Sequence, residues 1–403
     1  DVLNSLINLA VLWLANQTDN SADCNMLLNQ GNKTLQDVAV EQLMLLSDDQ
    51  LNALQLSPVV AVKLFALKII ILKNQLPNAS VLAELICSDV KDNRKFGEGI
   101  LNSLLNKPVF PFEMVNELYP KLYAKEHFEG QHLVVQGLLS NSLRPYLSKI
   151  NMAHSLRLIH GNYIPAQEIG WILLTEQIDI DRLLVKQVVH LASHNDLRVR
   201  QWSWSWFDKK VSLAKVEKEE TIKLLQSKWD DTRQFAIDFL RKNFVEEDWS
   251  PEVLIGIVDS VKPDVEAFGR ELITNFYEEG NGLMYLSFLC QHPSLNVQLF
   301  VSNFIEKYAA NNIEKLQDLD YYFRSVLMRV NKGRNTKNRV FHFLHQEAMR
   351  SQEAACVVSN ILSDVSATVA IEDKAKCIQI MRDLEKLYPS LLLPMTTIEF
   401  ETR

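Results

Sequence analysis

At 403 residues the chain exceeds the roughly 250 to 300 at which a single core stops growing, so it holds several domains or an elongated array. A 47% hydrophobic and 23% charged composition excludes general disorder, and only 12 glycines and 12 prolines disfavour strand-rich folds and glycine-loop nucleotide sites. The net charge of -8 argues against attraction of nucleic acid or an anionic membrane over the whole surface, while leaving room for a local basic patch.

The first twenty residues, DVLNSLINLAVLWLANQTDN, carry an apolar stretch without a basic flank before it or a small-residue cleavage site after it. A signal peptide or membrane span fits poorly. The start at Asp1, with no methionine, suits a chain whose natural beginning lies upstream. Asn-x-Ser/Thr sequons begin at Asn16, Asn32 and Asn78, about the number an asparagine-rich chain yields by chance. Cys24, Cys87, Cys290, Cys356 and Cys377 are odd in number and lack CxxC spacing, so reduced thiols in a cytoplasmic protein are expected rather than disulfides or zinc.

From residue 62 onward a pattern recurs. VKLFALKII from Val62, NRKFGEGIL from Asn93, a less regular copy from Gln131, and AQEIGWILL from Ala166 place apolar residues at positions 0, 3, 4, 7 and 8. Between the second and third copies, residues 106–131 hold Pro108, Pro111 and Pro120 and stretch the spacing to 38, which predicts an inserted loop or bend. The copies then become most alike: VRQWSWSWF from Val199, TRQFAIDFL from Thr232, VEAFGRELI from Val265 and VQLFVSNFI from Val297 start 33, 33 and 32 residues apart. Each has an aromatic at position 3 (Trp202, Phe235, Phe268, Phe300). Each has a small or modest residue at position 4 (Ser203, Ala236, Gly269, Val301), which lets a neighbouring helix approach.

These positions share one face of an amphipathic helix. Apolar first helices precede them, such as TIKLLQSKW from Thr221 and VLIGIVDSV from Val253. Asn195-Asp196, Asp230-Asp231, Pro263-Asp264 and Pro293-Ser294 are expected to turn the chain and cap the second helix. Such a hairpin cannot bury both faces alone, so stacking must stabilise it.

Asp196-Leu197-Arg198-Val199-Arg200, with the small Ser203 and the large Trp206 and Phe207, resembles the HEAT-repeat signature. The likeness weakens at Glu266 and Gln298, which replace the basic residue, and covers about residues 58–310. It implies an all-α fold, a right-handed α-α superhelix of roughly 8 to 10 helical hairpins. The expected organisation is an N-terminal sub-array over 1–105, the proline-containing break at 106–131, a regular array over 132–310 and an atypical helical cap over 311–403. The tail, TKNRVFHFLHQEA from Thr336 onward, is similar to the end of bacterial HEAT-type proteins related to MolR, although no WGR motif is present. Proteins with HEAT-type folds serve transport, phosphatase scaffolding, chromosome biology and base-excision glycosylation, so the fold alone does not choose a function.

Several features carry candidate chemistry. Residues 321–350 set Arg324, Arg329, Lys332, Arg334, Lys337, Arg339 and Arg350 against a single acid, Glu347. Within this region Arg329, Lys332, Arg334, Lys337 and Arg339 are candidates for docking phosphate or nucleic acid, against the alternative of a solvated helix end. Trp204 falls on the flank of its stripe, where it either anchors a partner or packs on the next repeat. Arg200, Arg233, Arg241 and Lys242 are read as outward cations of the second-helix face. His190 with His194, and His342 with His345, are spaced for one helix face but lack further ligands, so no metal is expected. No GxxxxGK[ST], GxGxxG, GxSxG, HExxH or EF-hand loop occurs, and neither catalysis nor a cofactor is expected. The leading expectation is a non-catalytic scaffold binding a protein along its concave face. The alternatives are nucleic-acid binding through residues 324–339 and, less favoured, a glycosylase.

Overall fold

The computed structural model describes residues 46–329 and 332–395. The N-terminal apolar stretch, Asn16, Cys24 and Asn32 lie outside the described residues. Among the described residues the chain is α-helical with no strand, and no helix is long and apolar enough to cross a membrane. It forms two compact units, one up to Arg182 and one from Leu183.

In the first unit, helices α1 (Asp48–Gln55) and α2 (Val60–Leu72), then α3 (Ala79–Ile86) and α4 (Lys91–Leu104), make hairpins. The proline-rich stretch carries α5 (Phe110–Leu118) and a 3-10 turn over Tyr119–Tyr123. Pro111 sits in the first turn of α5, where its missing N–H costs nothing. Phe110, Met114, Val115, Leu118 and Leu122 are buried in one core with Leu82, Leu139 and Leu173. The unit continues through α6 (Gln131–Ser140), α7 (Met152–Ile159) and α8 (Ile164–Glu176). Asn78 uses its side chain to cap α3, accepting from the N–H of Ser80 at 2.9 Å.

The second unit contains α9 (Val185–Leu191) with α10 (Leu197–Lys209), the short α11 (Val211–Val216), and α12 (Lys218–Ile222) with α13 (Asp230–Asn243). There follow α14 (Pro251–Val258) with α15 (Pro263–Asn275), and α16 (Gly282–Leu289) with α17 (Leu295–Val301). Short helices α18 (Ile305–Ala309) and α19 (Ile313–Asp318) lead to α20 (Asp320–Leu327), α21 (Arg334–Ala348), α22 (Gln352–Ser366) and α23 (Ile371–Leu387).

Position 4 is buried in all eight copies, from Ala66 to Val301. The reason is steric. A Cβ on Gly269 would stand 2.7 Å from the backbone nitrogen of Val258, and one on Gly170 would collide with the backbone of Ile159. Gly97, Gly170 and Gly269 therefore each receive the end of their own hairpin's first helix. The position 3 aromatics are less uniform: Phe268 is buried, whereas Trp202, Phe235 and Phe300 are half-buried. Thr336 with Val340, Phe343 and Leu344, and Asp373 with Cys377, Ile380 and Met381, repeat the 0, 4, 7, 8 burial pattern in α21 and α23.

The turns use a device absent from the sequence reading. Five residues before the start, in six of the eight copies, the side chain accepts a hydrogen bond from the N–H two residues on. Ser57, Ser88, Ser227 and Ser260 do so through Oγ, and His194 and His292 through Nδ1, at 3.0 to 3.3 Å. Of the four turns expected to cap, only Asp196 does so as the N-cap residue itself, taking the Arg198 N–H at 2.8 Å, while Asp231 accepts the Thr232 N–H at 2.7 Å from inside its helix. Helices α13, α15 and α17 have no side-chain cap.

Candidate functional site

In five of the eight copies the residue after the start closes the same turn. Arg94, Gln167, Arg200, Arg233 and Gln298 each donate to the carbonyl six residues back, on Ser88, Gly161, His194, Ser227 and His292, at 2.5 to 2.9 Å. These carbonyls lie beyond the first helix's C-terminus, where no intrahelical donor reaches them. Arg200 and Arg233 are accordingly 5% exposed, correcting the expectation that they face outward.

Both arginines also reach the next repeat. Arg200 donates to Asp231 Oδ2 at 2.6 Å and lies 4.2 Å over the Trp229 ring. Arg233 donates to Asp264 Oδ2 at 2.7 Å and to Asp230 at 2.5 Å. Burial alone would raise the Asp231 carboxyl. The Arg200 guanidinium and the Thr232 N–H outweigh it and hold the carboxyl below the usual carboxylate range. The ladder stops at α15, where Glu266 stands in the arginine's place and pairs with Arg270 at 3.3 Å.

The other second-helix candidates divide. Trp204 is half-buried, its ring stacked on Phe235 with centroids 5.6 Å apart and planes 16° from parallel. Arg241 is exposed but forks onto Glu271 with two 2.9 Å hydrogen bonds, and also meets Asp238. Lys242 is exposed.

Four of the seven cations of the basic segment pair with carboxylates. Arg324 pairs with Asp320 and Asp364, Arg334 with Glu372 at 3.0 Å, and Arg350 with Glu347 at 3.2 Å. Lys337 is buried against Asp373 at 2.5 Å. Arg329 donates to the Cys290 carbonyl at 2.7 Å, and Arg339 to the Leu299 carbonyl and Ser302 Oγ at 2.9 and 2.7 Å. Lys332 is exposed. Glu347 is itself buried, accepting the N–H of Asn311 at 2.9 Å. The formal excess in residues 321–350 thus coexists with acids that α22 and α23 bring from about 40 residues away. Among the described residues no group of three or more His, Cys, Asp or Glu is placed to hold a metal ion.

Sequence reasoning placed no site on the first helices, yet the second unit has a groove there. Its volume is about 520 Å³. It runs between the α12 segment with its following 3-10 turn and α14, floored by Ile222, Leu225, Val253, Gly256 and Ile257. Glu219, Asp259 and Lys262 stand at its margin, with Val261 92% exposed beside them. Asp259 lies 3.3 Å from His292 Nε2. His292 Nδ1 accepts from the Ser294 N–H, so Nε2 is the ring nitrogen that faces Asp259.

No protein-family model matches this chain, and no curated protein sequence matches it.

Proposed function

We propose that the protein is a non-catalytic helical-repeat scaffold of the HEAT type, its hairpins wound within each unit as a right-handed stack, and that it binds a protein partner. The observation that carries this reading is an apolar groove held open on a rigid frame. The Arg200–Asp231 and Arg233–Asp264 pairs join successive repeats, so the helices flanking the groove need little reordering when a partner arrives. Arg200 and Arg233 are held inside the array, which moves the favoured surface from the second helices to the first.

Nucleic-acid binding has less support. Four of the seven cations of residues 321–350 pair with carboxylates, which reduces the counterion release that phosphate contacts could provide.

A photo-crosslinking residue at Val261, introduced in the cell of origin, tests the scaffold reading. The expected result is a recurring adduct with one protein, absent when the same residue replaces exposed Lys242. Adducts equally frequent at both positions, or none from several exposed first-helix positions, would overturn it.

A further inference from the structure

This inference rests on the scaffold reading and specifies what the groove takes. Gly256 lies inside α14, within the apolar run Val253 to Val258. A helix-interior glycine costs about 1 kcal/mol relative to alanine, and packing gives no return for it here. A Cβ on Gly256 would meet nothing within 4 Å, in contrast to Gly170 and Gly269. Its φ is not positive either, so no turn demands glycine. What the absent side chain provides is the depth of the groove it lines.

The margin supplies the second element. Glu219 and Asp259 are exposed acids of the lining, against Lys262 as the lining cation. A half-open groove between two helices suits a row of side chains from a helix better than a small molecule, which needs most of its surface enclosed.

We infer that the groove over Gly256 receives the apolar side chains of a partner's amphipathic helix, whose flanking residues are Lys or Arg that meet Glu219 and Asp259. The apolar row fills the depth left by Gly256. The flanking cations set orientation and give the contact its salt dependence.

The test uses the full chain and two fluorescent 16-residue helical peptides, each with leucine at i, i+3 and i+7, one flanked by lysines and the other by glutamates. The lysine peptide should bind in anisotropy titrations, more weakly at higher salt, and the glutamate peptide at least tenfold more weakly. Gly256→Leu should raise the melting temperature, because it gains helix propensity in empty space, while weakening the lysine peptide at least tenfold. Glu219→Lys with Asp259→Lys should weaken it several-fold. Unaltered binding to Gly256→Leu, equal binding of both peptides, or no binding of either overturns the inference. The two readings separate in the cell: an adduct at Val261 that survives Gly256→Leu overturns the groove assignment and leaves the scaffold standing, whereas absence of every adduct in the chain without that substitution removes the scaffold itself.

Discussion

Arg233 and Asp264 belong to consecutive hairpins, and the 2.7 Å hydrogen bond between the guanidinium Nε and the carboxylate joins them. The same guanidinium holds the Ser227 carbonyl of its own hairpin turn at 2.9 Å. One side chain therefore both closes a hairpin and fixes its stacking, which a surface cation cannot do.

Removing that arginine leaves a carbonyl and a carboxylate without their donor. Arg233→Ala should destabilise the second unit by about 2 to 3 kcal/mol, read as a lower urea midpoint at unchanged slope. Arg241→Ala breaks the exposed Glu271 pair and should cost less than about 1 kcal/mol. Equal losses in the two variants would contradict the assigned burial.

Acid should act on the same ladder. Asp231 is held low by Arg200 and Thr232 against its own burial, and Glu271 is held low mainly by Arg241. A carboxyl depressed by folding contributes stability that is complete above its unfolded value and is lost as pH falls through its folded value. Stability should therefore be flat with respect to these groups above about pH 5 and fall below the ordinary carboxylate range near pH 4. Asp231→Asn should be less stable at neutral pH and show a shallower acid slope, measured by denaturant titration at several pH values.

Glycines at two kinds of position should respond with opposite signs. Gly269→Ala drives a Cβ into Val258 and should cost about 1 to 3 kcal/mol. Gly256→Ala meets no neighbour and should stabilise by about 0.5 to 1 kcal/mol. Thermal melts of the two variants measure the contrast directly.

In the basic segment, burial sets the outcome. Lys337→Ala leaves Asp373 buried without its ammonium and should cost about 3 kcal/mol. Lys332→Glu with Arg334→Glu alters exposed groups and should change stability by less than about 0.5 kcal/mol. Binding of a DNA duplex probe between 50 and 200 mM salt should be the same for that double variant and its parent. A marked loss of binding and of salt dependence would restore the nucleic-acid reading.

The sequence by itself determined the helical class and the repeat. Residues that must share a buried face recur at 3.6-residue spacing whatever surrounds them, so Val199, Ser203, Trp206 and Phe207, or Thr232, Ala236, Phe239 and Leu240, are legible as a stripe. The small residue at position 4 was legible too, since only close approach rewards glycine at 170 and 269. Charge was not legible in the same way. An arginine one residue after the stripe begins looks outward on a helical projection, and only folding shows that it bends back over its own turn to reach Asp231 or Asp264 some 31 residues on. Likewise Glu372 and Asp373 neutralise Arg334 and Lys337 across helices that no sequence window spans. The groove belongs to neither helix alone. It exists because tertiary packing sets α14 beside the α12 segment with nothing at Gly256 to fill the space, and a sequence records an absent side chain without recording what stands opposite it.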